Sequence, residues 1–79
     1  MAAKAFVLIE TTVGRTREVA TAIAKLEGVK SVDPVTGPYD IIALIEAEGL
    51  NDIGNLVTGK IHPVAGISRT VTCLAIWGT

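Results

Sequence analysis

The chain has 79 residues, 49% of them hydrophobic and 19% charged, with a formal net charge of -1 at pH 7; the sequence pI is near 5.7 and the mean hydropathy +0.52. That length holds one domain, whose folding removes only about 60% of the unfolded chain's surface from water, so its own core is thin. A near-neutral charge with dispersed basic residues excludes an electrostatic footprint for nucleic acid, the single cysteine excludes an internal disulfide, and one histidine beside one cysteine is too few ligands for a structural zinc site.

The first element is a strand, Ala5 to Thr12, rich in apolar and β-branched residues. Its apolar stretch ends at Glu10, too soon for the core of a signal peptide. No later apolar run approaches the roughly 20 residues that span a bilayer, so the expected compartment is the cytoplasm. After Gly14 the spacing becomes helical from about Arg15 to Leu26, with Val19, Ile23 and Leu26 on one stripe. Gly28 stands where a left-handed glycine ends helices. A second strand covers Val29 to Thr36; Pro34 cannot donate to a ladder, so this strand lies at an edge or is bulged there. Thr36-Gly37-Pro38-Tyr39 is a turn, followed by a third strand from Tyr39 to Ala47. A second helix runs from Leu50 to about Ile61, with Leu50, Ile53, Val57 and Ile61 at steps of three and four. Gly49 or Asn51 caps it, and Gly54 and Gly59 weaken it. His62 to Gly66 is a loop, and Ile67 to Trp77 the last strand.

The order β-α-β-β-α-β implies an α+β, ferredoxin-like fold: a four-stranded antiparallel sheet with two helices on one face. Right-handed crossovers put both helices on the same side. In such a two-layer domain the strands should alternate apolar and polar. They do not, since Ile41 to Ile45 is apolar throughout, and Phe6 and Leu8 oppose Val7 and Ile9. Two helices cover one face, so a second copy of the chain is expected to cover the other.

Candidate chemistry is sparse. Asp40, entering a strand after Gly37-Pro38-Tyr39, offers a carboxylate for an amino group or hydroxyl; the plainer reading is an Asp bonded to its own turn. Thr70 and Thr72, two apart, place two hydroxyls on one strand face, although threonine also simply favours strands. Gly14-Arg15-Thr16-Arg17 opens a helix, where anions are attracted, yet reads better as a solvated start. His62 has no base or nucleophile partner at a recognisable spacing. Cys73 reads as an inert buried thiol and Trp77 as packing. Without a nucleophile-base pair, paired carboxylates, a metal cluster or a cofactor motif, no catalytic residue is assigned.

Three segments carry a resemblance: Gly28-Val29 with Lys30-Ser31-Val32; Val35-Thr36-Gly37-Pro38-Tyr39-Asp40-Ile41; and Ile61 with Val64-Ala65-Gly66-Ile67-Ser68-Arg69-Thr70-Val71-Thr72. Over roughly residues 5 to 77 the chain resembles the effector domain of the Lrp/AsnC family, also called RAM, for regulation of amino-acid metabolism. The most specific elements are the turn at 35 to 40 and the segment at 66 to 72. Family regulators carry a helix-turn-helix domain before this module; here the first strand follows Met1 almost directly, so a stand-alone domain over 1–79 is expected. The resemblance implies the dimeric α+β barrel arrangement, sheets paired into dimers and dimers joined into octamer or decamer rings. It also implies an amino acid effector bound between dimers, and full-length Lrp/AsnC regulators as further partners. Carried over residue by residue, the implied ligand-binding set is Gly37, Tyr39, Asp40, Thr70 and Thr72, with neither cofactor nor metal. Two alternatives share the topology: a small dimeric α+β barrel enzyme, monooxygenase- or isomerase-like, and a pure assembly partner of a full-length regulator.

Overall fold

The apolar period fixes where the core lies. In a computed structural model, which describes residues 2–76, four strands and two helices occur in the expected order: β1 (Ala3–Thr11), α1 (Thr16–Ala24), β2 (Val29–Pro34), β3 (Ile41–Ala47), α2 (Leu50–Leu56) and β4 (Ile67–Leu74). A π-helical turn, Val57–Ile61, extends α2. The sheet order is β2-β3-β1-β4, and every pairing is antiparallel. Both outer strands are therefore edges, which for β2 is one of the two placements Pro34 allows.

Alternate residues of the two central strands, Ala5, Val7 and Ile9 with Ile41, Ala43 and Ile45, are buried beneath Val19 and Ile23 of α1 and Ile53, Val57 and Ile61 of the second helical unit. Every large residue among them is isoleucine or valine. Such side chains are stiff and favour the pleated sheet, and among the described residues no aromatic ring enters this layer. Both helices thus lie on one face. Leu50 departs from the expected stripe: it is 65% exposed, because it opens α2 beside the outer strand rather than above the central pair. Cys73 departs as well, being exposed rather than buried. It pairs with Phe6 across the β1–β4 ladder and so shares the face that no helix covers.

That second face carries Phe6, Leu8, Ile42, Leu44, Val71 and Cys73, each cross-strand neighbours in the register. Phe6 is 40% and Val71 37% exposed. Charged residues rim the patch, with Lys4 opposite Glu46 and Glu10 opposite Arg69. Trp77, expected to pack nearby, lies outside the described residues.

Two irregularities shape the sheet margins. Between Val29 and Ser31 the β2–β3 register slips by one residue, so the bulge falls at Lys30 rather than at Pro34. Between Ile67 and Arg69 the ladder to β1 also slips. Ser68 is the extra residue, and its hydroxyl donates to the Glu10 carbonyl and to Glu10 Oε1, each at 3.1 Å. The turn before β4 is locked by Gly66, whose φ is +101° and whose carbonyl accepts from Thr12 N–H at 2.8 Å. A Cβ there would stand 2.8 Å from Val19 Cγ2 and 3.1 Å from Arg15 Cβ.

Gly66→Ala therefore combines a disfavoured backbone with an overlap against α1, and should cost about 2 kcal/mol or more. A clearly lower urea midpoint at unchanged slope is the expected result. A wild-type midpoint would show that α1 does not pack against this turn.

Candidate functional site

The five residues singled out in the sequence occupy the margins of the sheet and do not meet in one pocket of a single chain. Gly37 is exposed at the tip of the β2–β3 hairpin with φ +124°, and a Cβ there would touch nothing within 4 Å. The hairpin closes where Val35 N–H donates to the Asp40 carbonyl at 2.8 Å.

Tyr39 and Asp40 are neighbours that reach apart. The Tyr39 hydroxyl accepts from the Arg69 guanidinium at 2.8 Å, and that cation also lies over the Tyr39 ring, 5.6 Å from its centroid. Arg69 pairs with Glu10 on the uncovered face, so Tyr39 belongs to that side. Beside it a cleft of about 420 Å³ is lined by Leu8, Val35, Thr36, Pro38, Tyr39 and Ile42. Asp40 instead reaches β1, where its Oδ2 accepts from Thr11 N–H at 2.8 Å and from Thr11 Oγ1 at 3.1 Å. The Thr11 hydroxyl also meets Thr16 Oγ1 at 2.7 Å, which ties the hairpin to the start of α1. Asp40 thus bonds across 29 residues rather than to its own turn, and its role in the fold is clear whatever else it binds.

Thr70 and Thr72 do share a face, as their spacing requires, on the helix side of β4. Thr72 lines a groove of about 250 Å³ with Leu50, Ile53, Val57, Thr58 and Leu74. Thr70 Oγ1 stands 2.9 Å from His62 Nε2, in a cleft of about 340 Å³ bounded by His62, Ile67, Ser68, Arg69 and Thr70. Asp40 and Thr70 flank β1 on opposite sides, since Ile9 pairs with both Ile41 and Thr70. Their backbones are two strand spacings, roughly 10 Å, apart.

Four partners were not legible from spacing: Thr11 for Asp40, Arg69 for Tyr39, His62 for Thr70 and Glu10 for Ser68. Each pair joins different elements, and no local period encodes such a contact. The one hint was Arg69-Thr70 side by side in a single segment. The helix-start cluster behaves as a solvated surface. Arg15 grips Glu18 through two hydrogen bonds at 2.9 and 2.6 Å, which raises the guanidinium's affinity for its proton and lowers that of the Glu18 carboxylate.

His62 with Thr70 has the outline of a base and a hydroxyl, and catalysis needs more. The ring requires an orienting partner on its other nitrogen and donors for a developing oxyanion. Among the described residues the His62 side chain bonds to Thr70 alone, in an open cleft. Among the same residues no group of three or more His, Cys, Asp or Glu side chains is placed to hold a metal ion. No helix there is long and apolar enough to cross a membrane.

Comparison with known proteins places this geometry in a family. The model of the Lrp/AsnC ligand binding domain matches residues 4–77. An uncharacterized HTH-type transcriptional regulator of Pyrococcus horikoshii, PH1916, is 36% identical over 59 residues, which are 75% of this chain and 39% of the regulator. The chain thus spans about two-fifths of that relative's length. The Thermus thermophilus protein TTHA0845 superposes with a TM-score of 0.92 at 38% identity, covering 98% of this chain and 96% of its own. A Neisseria meningitidis transcriptional regulator, NMB0573, in complex with L-Met, shares the fold with a TM-score of 0.84 at 18% identity, over 95% of this chain and 50% of its own.

Asp40→Ala should leave the Thr11 N–H and hydroxyl without their shared acceptor. A half-buried charged acceptor of two bonds is worth about 1–2 kcal/mol. Chemical denaturation at pH 7 should show that loss, and an unchanged midpoint would remove Asp40 from the hairpin's anchorage.

Proposed function

The chain belongs to the family of Lrp/AsnC ligand-binding domains, and on that premise we propose that it is a non-catalytic module that binds a small amino-acid effector and assembles with copies of itself. The observation that carries this reading is the placement of the polar candidates. Tyr39, Asp40, Thr70 and Thr72 ring the margins of a sheet whose middle is apolar on both sides, and all but Asp40 line open clefts that a second copy would close. Enzymes more often enclose their reacting groups and exclude water from them.

In the proposed assembly the uncovered face, with Phe6, Leu8, Ile42, Leu44 and Val71 at its centre, packs against the same face of a second chain. Such an isologous contact satisfies both partners at once. The edge strands then remain outside the pair, and the clefts along β4 and at the β2–β3 hairpin become the contacts through which dimers join into an octamer or decamer ring. The ligand set is Gly37, Tyr39, Asp40, Thr70 and Thr72, drawn from more than one protomer, because one chain does not bring them together. An amino acid suits such a set, its ammonium group matching the Asp40 carboxylate and its carboxylate the hydroxyls. The proposed partners are full-length Lrp/AsnC-type regulators, whose assembly the module would modulate in the cytoplasm.

Thermal-shift measurements with each of the twenty amino acids test the reading directly. A ligand at a hundred times its dissociation constant stabilises the folded state by about 2.7 kcal/mol. The expected result is a raised Tm with a subset of amino acids, lost in Thr72→Ala. A Tm unmoved by all twenty would overturn the proposal.

A further inference from the structure

Resting on the effector reading, we propose that His62 and Thr70 together receive the carboxylate of the bound ligand, and that binding there takes up a proton at His62. Three features of the cleft support this role. Its polar lining includes the Thr70 hydroxyl, the His62 imidazole and Arg69, the last also donating to Tyr39, while the Ser68 hydroxyl is committed to Glu10. No lining residue is acidic, and the Glu10 carboxylate behind Ser68 already accepts that residue's hydroxyl at 3.1 Å. Finally, β4 is an edge strand, so its outward backbone groups have no strand partner and remain open to a ligand.

The backbone sets the position of His62. It is the first residue beyond the π turn, held by its N–H donating to the Val57 carbonyl at 2.8 Å. One-turn π segments recur at functional sites because the widened turn re-aims the next side chains. Here the ring reaches Thr70 at 2.9 Å. Of this pair, only Thr70 belongs to the ligand set read from the sequence.

The proton enters through the hydrogen bond between them. When Nε2 lacks a proton, the Thr70 hydroxyl must donate to it, and that hydrogen is unavailable to an anion. When Nε2 carries the proton, it donates to Thr70 Oγ1, and the hydroxyl hydrogen is released toward the cleft. Imidazolium fixes the second arrangement and adds a positive charge. Histidine is the side chain whose ordinary titration falls between pH 5 and 8, so a carboxylate seated here should be held more tightly as pH falls through that range. The charged groups nearby are Arg69 on β4 in the same cleft, Glu10 on β1 behind Ser68, and Lys60, which lies two residues earlier and lines a different cleft. A bound carboxylate would be opposite in charge to the first and last of these.

The test uses the fact that His62 is the chain's single histidine, so its ring proton resonances report one residue. Its titration is followed by isotope-edited NMR in the whole 13C,15N-labelled protein, alone, with an equimolar unlabelled pool of the amino acids other than histidine, and with a pool of their carboxamides, which lack the α-carboxylate. Melting temperature is read on the same samples. The amino-acid pool should raise the His62 midpoint by about half a pH unit or more, and the raised Tm should shrink as pH rises from 5.5 to 8.5. The carboxamides should move neither. One unit of such coupling corresponds to a tenfold change in affinity. His62→Gln should bind the pool with a pH-independent Tm shift, and Thr70→Val should lose the midpoint shift. A raised Tm with an unmoved His62 midpoint would overturn the carboxylate assignment while leaving effector binding standing. A Tm unmoved at every pH would overturn both.

Discussion

The structure depends on one imbalance: a sheet apolar on both faces and only enough helix to cover one. Val7, Ile9, Ala43 and Ile45 are sealed beneath α1, α2 and the π turn. Phe6, Leu8, Ile42 and Leu44, the alternate residues of the same strands, have no layer of their own. At about 25 cal/mol per Å² of apolar surface removed from water, a short chain gains much from closing that face. An isolated 79-residue core has little stability to spare. Pairing of two sheets would supply the missing layer without any further secondary structure.

This imbalance also directs where chemistry can sit. The centre of each sheet face is committed to packing, so polar groups collect where the strands end and along the outer edges. Tyr39 with Arg69, Asp40 with Thr11, and Thr70 with His62 are three such marginal pairs. Each joins the strand layer to a turn. A ligand bound between copies at these margins would be coupled to assembly by geometry alone, because the groups that hold it come from surfaces that move together only when the oligomer forms.

The order of elements and the face of every central-strand residue could be read from the sequence, because both arise from local periods of two and about 3.6 residues. Pro34 left β2 either at an edge or bulged, and β2 is an edge. The helix α1 ends at Ala24, before the expected Leu26, so Gly28, although left-handed, stands in the turn into β2 rather than at the helix cap. What failed to appear was everything decided between elements. Leu50 fits the helical stripe, yet α2 begins beyond the central strands and leaves it exposed. Cys73 is apolar by neighbourhood, yet lies on the face without helices. Asp40 looked bonded to its own turn and instead anchors to Thr11, and the slip that makes Ser68 an extra residue has no signature in composition. Of the candidate ligand residues, the two threonines lie on one face as their spacing required. That Tyr39 and Asp40 diverge to different sides was visible only once β1 stood between the hairpin and β4.

The mass of the protein in solution tests the central claim most directly. Light scattering on the wild type and on Leu44→Asp, with circular dichroism to verify that both are folded, asks whether the uncovered sheet face is an interface. The account predicts a wild-type mass at least twice the 8.2 kDa of one chain and a folded Leu44→Asp variant reduced to that single-chain mass. A folded wild type of 8.2 kDa, or a Leu44→Asp variant that keeps the full assembly, would contradict it.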